Sequence, residues 1–357
     1  MPYTQVSNLD FDDIKSSLKE YMRAQSEFTD YDFEGSALAT LIDTLAYNTY
    51  YTAFNTNMVV NELFIDSATL RDNVVAIAKQ LGYRPKSATA PTAYVSFTAT
   101  YGNPTTDTEL LLKKGTGFIS SFDNNVYQYV VTDDVKAQVI NDVATFTNVE
   151  VKEGTQLVNT FTVNTALKSQ KFILDNPNID TNTIRVKVFP TGGSFNEPYL
   201  VADNILGVDA TSKVFFLDEI EDQRYEILMG DGVLGKKLET NARIEVSYLT
   251  TAGPESNGVR TFVFSGVLEN PNGVTPSSIT TSITSTVASA GGEEIESTQK
   301  IKYTAPKAYG TQERAVTADD YEAIVRKVYP ATRHYYIWWR GSRTTTVWKS
   351  IHCIETN

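Results

Sequence analysis

The sequence predicts an α+β fold: an N-terminal helical segment, a central antiparallel β-rich domain and a short C-terminal helical segment. Three observations carry this expectation. Residues 9–82 repeat apolar side chains at steps of three and four, the helical period. Residues 92–265 alternate apolar and polar side chains over short runs broken by Gly, Pro, Asn and Asp, as half-buried antiparallel strands do. Strands and crossover helices do not alternate, so a parallel α/β sheet is not expected.

The first helix is expected in LDFDDIKSSLKEYMRAQ, where Phe11, Ile14, Leu18, Tyr21 and Gln25 form one narrow stripe close to a coiled-coil seam. Its acidic start (Asp10, Asp12, Asp13) and later Lys15, Lys19 and Arg23 suit the helix dipole. A second helix is expected from an N-cap at Ser36 through SALATLIDTLAYNTYYTAFNTNMVVNELF. Tyr47, Tyr50, Tyr51 and Phe54 band it with aromatics, while Asn48, Asn55, Asn57 and Asn61 are weak helix formers. Such a helix is either the core of its own domain or is ordered by partner chains, since Tyr suits a surface that is both apolar and hydrogen-bonding. A third helix is expected from Ser67, with Leu70, Val74, Ile77 and Leu81 periodic, Gly82 closing it and Pro85 following.

The strands then come in quick order. AYVSFTATY, TIRVKVF and ARIEVSYL alternate cleanly, and VYQYVV, ATFTNVEV, NTFTV, KFIL, KVFFL and RTFVF lie between or after them. Residues 271–290 are Ser/Thr-rich and read as a linker or extended arm. In AVTADDYEAIVRKVYP, Thr317 and Asp320 form a capping box, Tyr321, Ile324, Val325 and Val328 share a face, and Pro330 ends the helix. The expected divisions are therefore 1–85 (helical, bundle-forming), 86–270 (antiparallel β), 271–290 (linker or arm), 291–333 (helical) and 334–357 (an aberrant tail).

Composition narrows the function. The net charge of −12 and the pairs Lys113-Lys114 and Lys236-Lys237, with no larger basic patch, argue against nucleic-acid binding. No apolar run reaches membrane-spanning length, and the N-terminus lacks a secretory pattern. One cysteine excludes an internal disulfide framework. Gly230-Asp231-Gly232-Val233-Leu234-Gly235 matches G-x-G-x-x-G, but KKLETNA leads straight into the strand RIEVSYL. No helix opens to meet a pyrophosphate, so the glycines are expected to turn the chain between antiparallel strands. Asp12-Asp13, Asp133-Asp134, Glu293-Glu294 and Asp319-Asp320 are sequence neighbours and make poor acid/base pairs. No calcium-loop spacing appears. No catalytic residue, cofactor or metal site is expected.

Several stretches together resemble one family, the baseplate J-like proteins, and within it the baseplate wedge subunits of T-even-type contractile-tailed phages. The stretch LDFDDIKSSLKEYMRAQ through QLGYRPKSATAP is similar to that subunit's N-terminal region. KKGTGFISS (with Gly115), MGDGVLGKKL (with Gly230, Gly232 and Gly235) and GGEEIESTQKIKYTAPKAYGTQERAVTADDYEAIVRKVYP are similar to wider family motifs. The resemblance covers residues 9–330 and makes 291–333 the baseplate-J-like helical segment. It implies a structural virion protein of the tail baseplate, assembled in the host cytoplasm. It implies pairing with a second copy of itself, a helical bundle with a larger wedge partner, and contacts with neighbouring wedge and sheath-initiating proteins. The subunits would link wedges into a ring around the hub that rearranges on contraction. Carried over as bundle-interface positions are Phe11, Ile14, Leu18 and Tyr21 on the first helix, and Tyr47, Tyr50, Tyr51 and Phe54 on the second. Two rivals stand beside this reading. A carbohydrate-binding or adhesive β module should pull down glycans with residues 86–270, and a glycan hydrolase needs two separated carboxylates in a cleft.

The end of the chain departs from the family pattern. All three tryptophans (Trp338, Trp339, Trp348), both histidines (His334, His352) and the single cysteine (Cys353) lie in residues 334–357. In the family the chain continues well past the helix that ends at Pro330. Read one base later, every Trp codon begins GG and encodes glycine. Two readings stand: a frame shift near residues 331–338 that truncates the chain, or a divergent tail with packed tryptophans. A shifted frame should lack a selected hydrophobic pattern.

Overall fold

The computed structural model describes residues 7, 10–25, 37–167, 170–193, 195–202, 205, 207–276, 278–311, 314, 324, 334–342 and 345–354, the last two ranges as backbone only. The fold class is as expected, with N-terminal helices, a central β-rich region and a helix after it. The chain forms two compact units, Met1–Arg84 with Ser297–Asn357, and Pro85–Glu296.

In the first unit, α1 spans Phe11–Arg23, α2 Ala37–Glu62, α3 Arg71–Gln80 and α4 Thr298–Thr311. Asp10 caps α1, its Oδ1 accepting from the N–H groups of Asp12 (2.9 Å) and Asp13 (3.2 Å). The third helix begins four residues later than Ser67 suggested. Ser67 instead donates its hydroxyl to the Asn61 carbonyl (2.6 Å) and closes the turn after α2. Glu62, the last residue of α2, reaches forward to cap α3. It accepts from Thr69 N–H (2.7 Å), Leu70 N–H and Asn73 Nδ2 (2.8 Å).

The end of α3 follows expectation. Gly82 has φ +76°, with Gly82 N–H on Lys79 O and Tyr83 N–H on Ala78 O, the paired bonds of a Schellman cap. Against α3 lies α4, whose Ile301 and Ala305 are buried with Ala68, Val74, Val75 and Ala78. Small residues let the two helices approach closely.

Partial burial pushes the Glu62 carboxyl up, but bonds from Asn73, Thr69 and Leu70 outweigh this and bring its pKa down to about 2. A carboxyl depressed from 4.5 stabilises the fold above its unfolded pKa, and that contribution is lost as pH falls from about 4.5 toward 2. Glu62→Ala should cost about 1 kcal/mol at neutral pH. The difference from wild type should vanish near pH 2, as read by urea titration at each pH. An equal difference at both pH values would contradict the capping role.

The second unit carries two sheets. β1 (Thr92–Tyr101), β2 (Glu109–Leu112), β3 (Gly117–Phe122), β4 (Asn125–Val131), β5 (Val135–Ile140) and β6 (Val143–Glu153) come first. β7 (Thr155–Thr162), β8 (Phe172–Leu174), β9 (Ile179–Phe189), β10 (Glu197–Val201), β11 (Val214–Glu219), β12 (Tyr225–Met229) and β13 (Arg243–Thr250) follow. β14 (Val263–Phe264) and β15 (Ile279–Ala290) return to the first sheet. That sheet runs β14-β3-β4-β6-β1-β15, with β5 joining β2 to β6, and the second runs β7-β13-β9-β10-β11-β12-β8.

Phe97 centres the first core. It stacks on Phe146 (ring centroids 4.7 Å apart) and meets Phe118 and Phe264. Tyr248, Phe215, Leu174 and Ile244 lie in the second core. The chain passes between the sheets at Gly154 (φ +131°), where a Cβ would lie 2.4 Å from the Thr250 carbonyl oxygen. Among the described residues the strand pairs of the second unit are antiparallel except β10 with β11.

Two sequence expectations are corrected. Residues 271–290 are not a linker or arm throughout, because Ile279–Ala290 pairs along the whole of β1. Ile279 and Ile283 pack against the first core, and Thr between them is β-branched and suits a half-exposed strand. Ser/Thr richness marked the solvent face of an edge strand. The expected RTFVF strand shrinks to Val263–Phe264. The capping box at Thr317 and Asp320 lies outside the described residues. In the tail, β16 (His334–Ser342) and β17 (Thr345–Ile354) pair as an antiparallel hairpin. The packing of its side chains, on which the two readings of the tail differ, lies outside what is described.

Candidate helical interface

The functional candidate is the surface of α1 and α2. Lys15 Nζ on α1 meets Asp43 Oδ1 on α2 at 2.6 Å. Phe11, Ile14 and Leu18 are half-buried, whereas Tyr21 is 69% exposed. No residue of α1 is fully buried.

One face of α2 is closed within the chain. Ile42, Ala46, Ala53, Asn57 and Asn61 are buried. Asn57 explains part of the odd Asn content. Its Oδ1 accepts from Ser7 N–H (3.1 Å) and its Nδ2 donates to Ser7 O (3.2 Å), holding the segment before α1 against α2. The helix's threonines also turn inward to their own backbone. Thr44, Thr49, Thr52 and Thr56 each donate to the carbonyl four residues earlier. That satisfies the hydroxyls without calling on solvent.

The other faces stay open. Tyr47, Tyr51, Phe54 and Met58 fall at steps of four, three and four, the spacing of a second coiled-coil-like seam. All four are exposed, Tyr47 the most at 56%. Tyr47 and Tyr51 join edge to face (4.6 Å) and share a hydroxyl hydrogen bond of 3.0 Å. That bond, followed by slight desolvation, raises the Tyr47 pKa. Tyr50 parts from the band and turns half-buried, its ring 5.9 Å from Tyr51. The aromatic band expected from the sequence is thus split by the fold.

Sequence reasoning passed over Leu41, Leu45, Met58 and Val59, and Leu63 and Phe64 just beyond the helix, all exposed. The available signal was that α2 carries apolar residues all round, which in a folded helix means burial on more than one side.

The motif glycines are structural. Gly230 lies so close to Gly235 that a Cβ on it would come within 2.3 Å of the Gly235 carbonyl carbon. Gly232 and Gly235 have φ +95° and +91°. Asp231 Oδ1 accepts from Val233 and Leu234 N–H, both at 2.8 Å, so the loop is a tight turn after β12. Gly115 (φ +82°) donates its N–H to Val131 O. Among the described residues no three His, Cys, Asp or Glu side chains gather as a metal site, and no helix is long and apolar enough to cross a membrane.

The first unit thus presents a helix with one seam closed inside the chain and another left open to solvent. Residues 10–83 match the family model described as the helical domain of baseplate wedge protein gp6-like proteins. Over 333 residues the chain is 29% identical to the baseplate wedge protein gp6 of Enterobacteria phage T4, an alignment covering 88% of this chain and 49% of that protein. The chain thus spans about half the length of this curated relative. The cryo-EM structure of the anti-feeding prophage baseplate aligns over 94% of this chain and 67% of the matched chain, at 12% identity and a TM-score of 0.29, too low to define a shared fold. The resemblance to T-even-type wedge subunits is borne out. The wider baseplate-J-like name is not carried by these findings.

Proposed function

We propose that this chain is a structural subunit of a phage tail baseplate wedge, without enzymatic activity, and resides in the virion. Its N-terminal helices join a helical bundle with a larger wedge protein. A second copy and neighbouring baseplate proteins complete a ring around the hub, which rearranges as the sheath contracts. The observation that carries this reading is the open Tyr47-Tyr51-Phe54-Met58 seam on a helix already packed on another face. An apolar stripe of this length in water is costly and is best explained by a partner helix. The stripe on α1 contributes Phe11, Ile14, Leu18 and Tyr21 to the same bundle.

Co-expression of the full chain with the larger wedge protein of the same phage tests the proposal. The two should co-purify. Replacing Ile14 and Leu18 by asparagine should abolish this while the β-sheet circular dichroism signal persists. Failure of the wild-type pair to associate would overturn the proposal.

A further inference from the structure

A groove of about 840 Å³ opens where the two sheets of the second unit meet. Its walls include Ile119 and Val126 from the β3–β4 hairpin, with Pro177, Asn178 and Ala252 from the second sheet's side. Ile119 and Val126 are 39% and 70% exposed and form an apolar lip on the groove. The lining holds two carboxylates, Glu153 and Glu255, and no Lys, Arg or His.

Glu153 is the unusual group. It is only 5% exposed. Its Oε2 is fully engaged, accepting from Thr251 Oγ1 (2.6 Å) and Ala252 N–H (3.0 Å). Its Oε1 has no hydrogen-bond partner among the described residues, and it is not among the side-chain atoms sealed from solvent. Among the described residues no cation lies within ion-pair distance of Glu153. A buried carboxylate without a counter-charge is costly. Burial first, and Glu255 to a smaller degree, push its pKa up, despite the bonds from Thr251 and Ala252.

We propose that the groove receives an extended segment of another polypeptide, which places one lysine or arginine side chain against Glu153 Oε1. Charge selects the occupant, because the lining is acidic and has no internal cation. Shape agrees: the groove is far larger than a metal ion needs, one free carboxylate oxygen is a poor metal site, and an apolar lip suits side chains flanking a cation. The site is independent of the helical bundle and adds a second contact surface. Gly154, pinned against the Thr250 carbonyl, fixes the Glu153 backbone at the groove.

The test uses the full chain and the blocked heptapeptide Ac-Thr-Val-Thr-Arg-Thr-Val-Thr-NH2, with a citrulline-for-arginine copy as the uncharged control, titrated by calorimetry. The arginine peptide should bind saturably and at least roughly tenfold more tightly than the citrulline peptide. Glu153→Gln keeps an oxygen for Thr251 and Ala252, so its fold should hold by circular dichroism and its preference for arginine should disappear. Glu255→Gln should weaken binding only a few-fold. Absent binding, equal binding of the two peptides, or an arginine preference that survives Glu153→Gln would overturn the proposal. So would a preference lost only in Glu255→Gln.

Discussion

Replacing Phe54 and Met58 together by glutamate should abolish capture of this chain by the larger wedge protein while leaving the chain folded. Both side chains are already partly in water, 44% and 43% exposed. New charges there cost the free chain little. In the bundle the same positions would be desolvated, and each change would remove an apolar anchor and bury an unpaired charge. Central anchors of this kind are worth about 2 kcal/mol or more each. The pair should therefore weaken binding by roughly a thousandfold. A pull-down titration against the wedge partner, with thermal melting of the free variant alongside, reads both halves. Undiminished capture would remove the seam from the interface, and a collapsed melt would show that the seam belongs to the chain's own core.

Phe97→Ala should give the largest loss of stability in the β unit, about 3–5 kcal/mol. Phe97 is fully buried in β1, touching rings from β3, β6 and β14. Removing it leaves a cavity walled by rings from three further strands of the same sheet, which are poorly able to collapse into it. Urea unfolding followed by far-UV circular dichroism should show a lower midpoint with an unchanged slope. A loss below about 1 kcal/mol would mean that the aromatic cluster is not the hub of this sheet. Surface changes on the same strand, such as Thr98→Ser, should be nearly silent.

Local chemistry was legible wherever it depends on neighbours in sequence. Asp10 and Gly82 act as end signals of their helices, as the residue pattern indicated. The glycines at 230, 232 and 235 make a tight turn, as the absence of a following helix indicated. The strand runs with clean alternation became β1, β9 and β13. Harder cases were those whose partner lies far along the chain. β15 looked like a linker because its Ser and Thr face solvent, and only pairing with β1, nearly two hundred residues earlier, makes it a strand. α4 lies within 291–333, expected to be helical, but no pattern of its own marked its bounds because Pro306 and Gly310 weaken its local signal, and burial of Ile301 and Ala305 against α3 holds it. Glu62 could not be recognised as a cap from sequence, since it stands at the end of one helix and serves the next.

The sequence by itself determined the class of the molecule: amphipathic helices, then alternating strands, and an N-terminal region with the pattern of a phage baseplate wedge protein. Hydrophobic period and turn chemistry are local properties, so they can be read along the chain. Only the tertiary structure decided which apolar face of α2 is spent inside the chain and which is left open. Packing of α1 and the Ser7–Asn57 clamp consume one face, and the geometry of the helix leaves Tyr47, Tyr51, Phe54 and Met58 on another. Tertiary structure likewise decided that Glu153, one acidic residue among many, is buried at the seam of two sheets with an oxygen to spare. Burial and partner choice are properties of contacts between distant residues, and no local pattern encodes them.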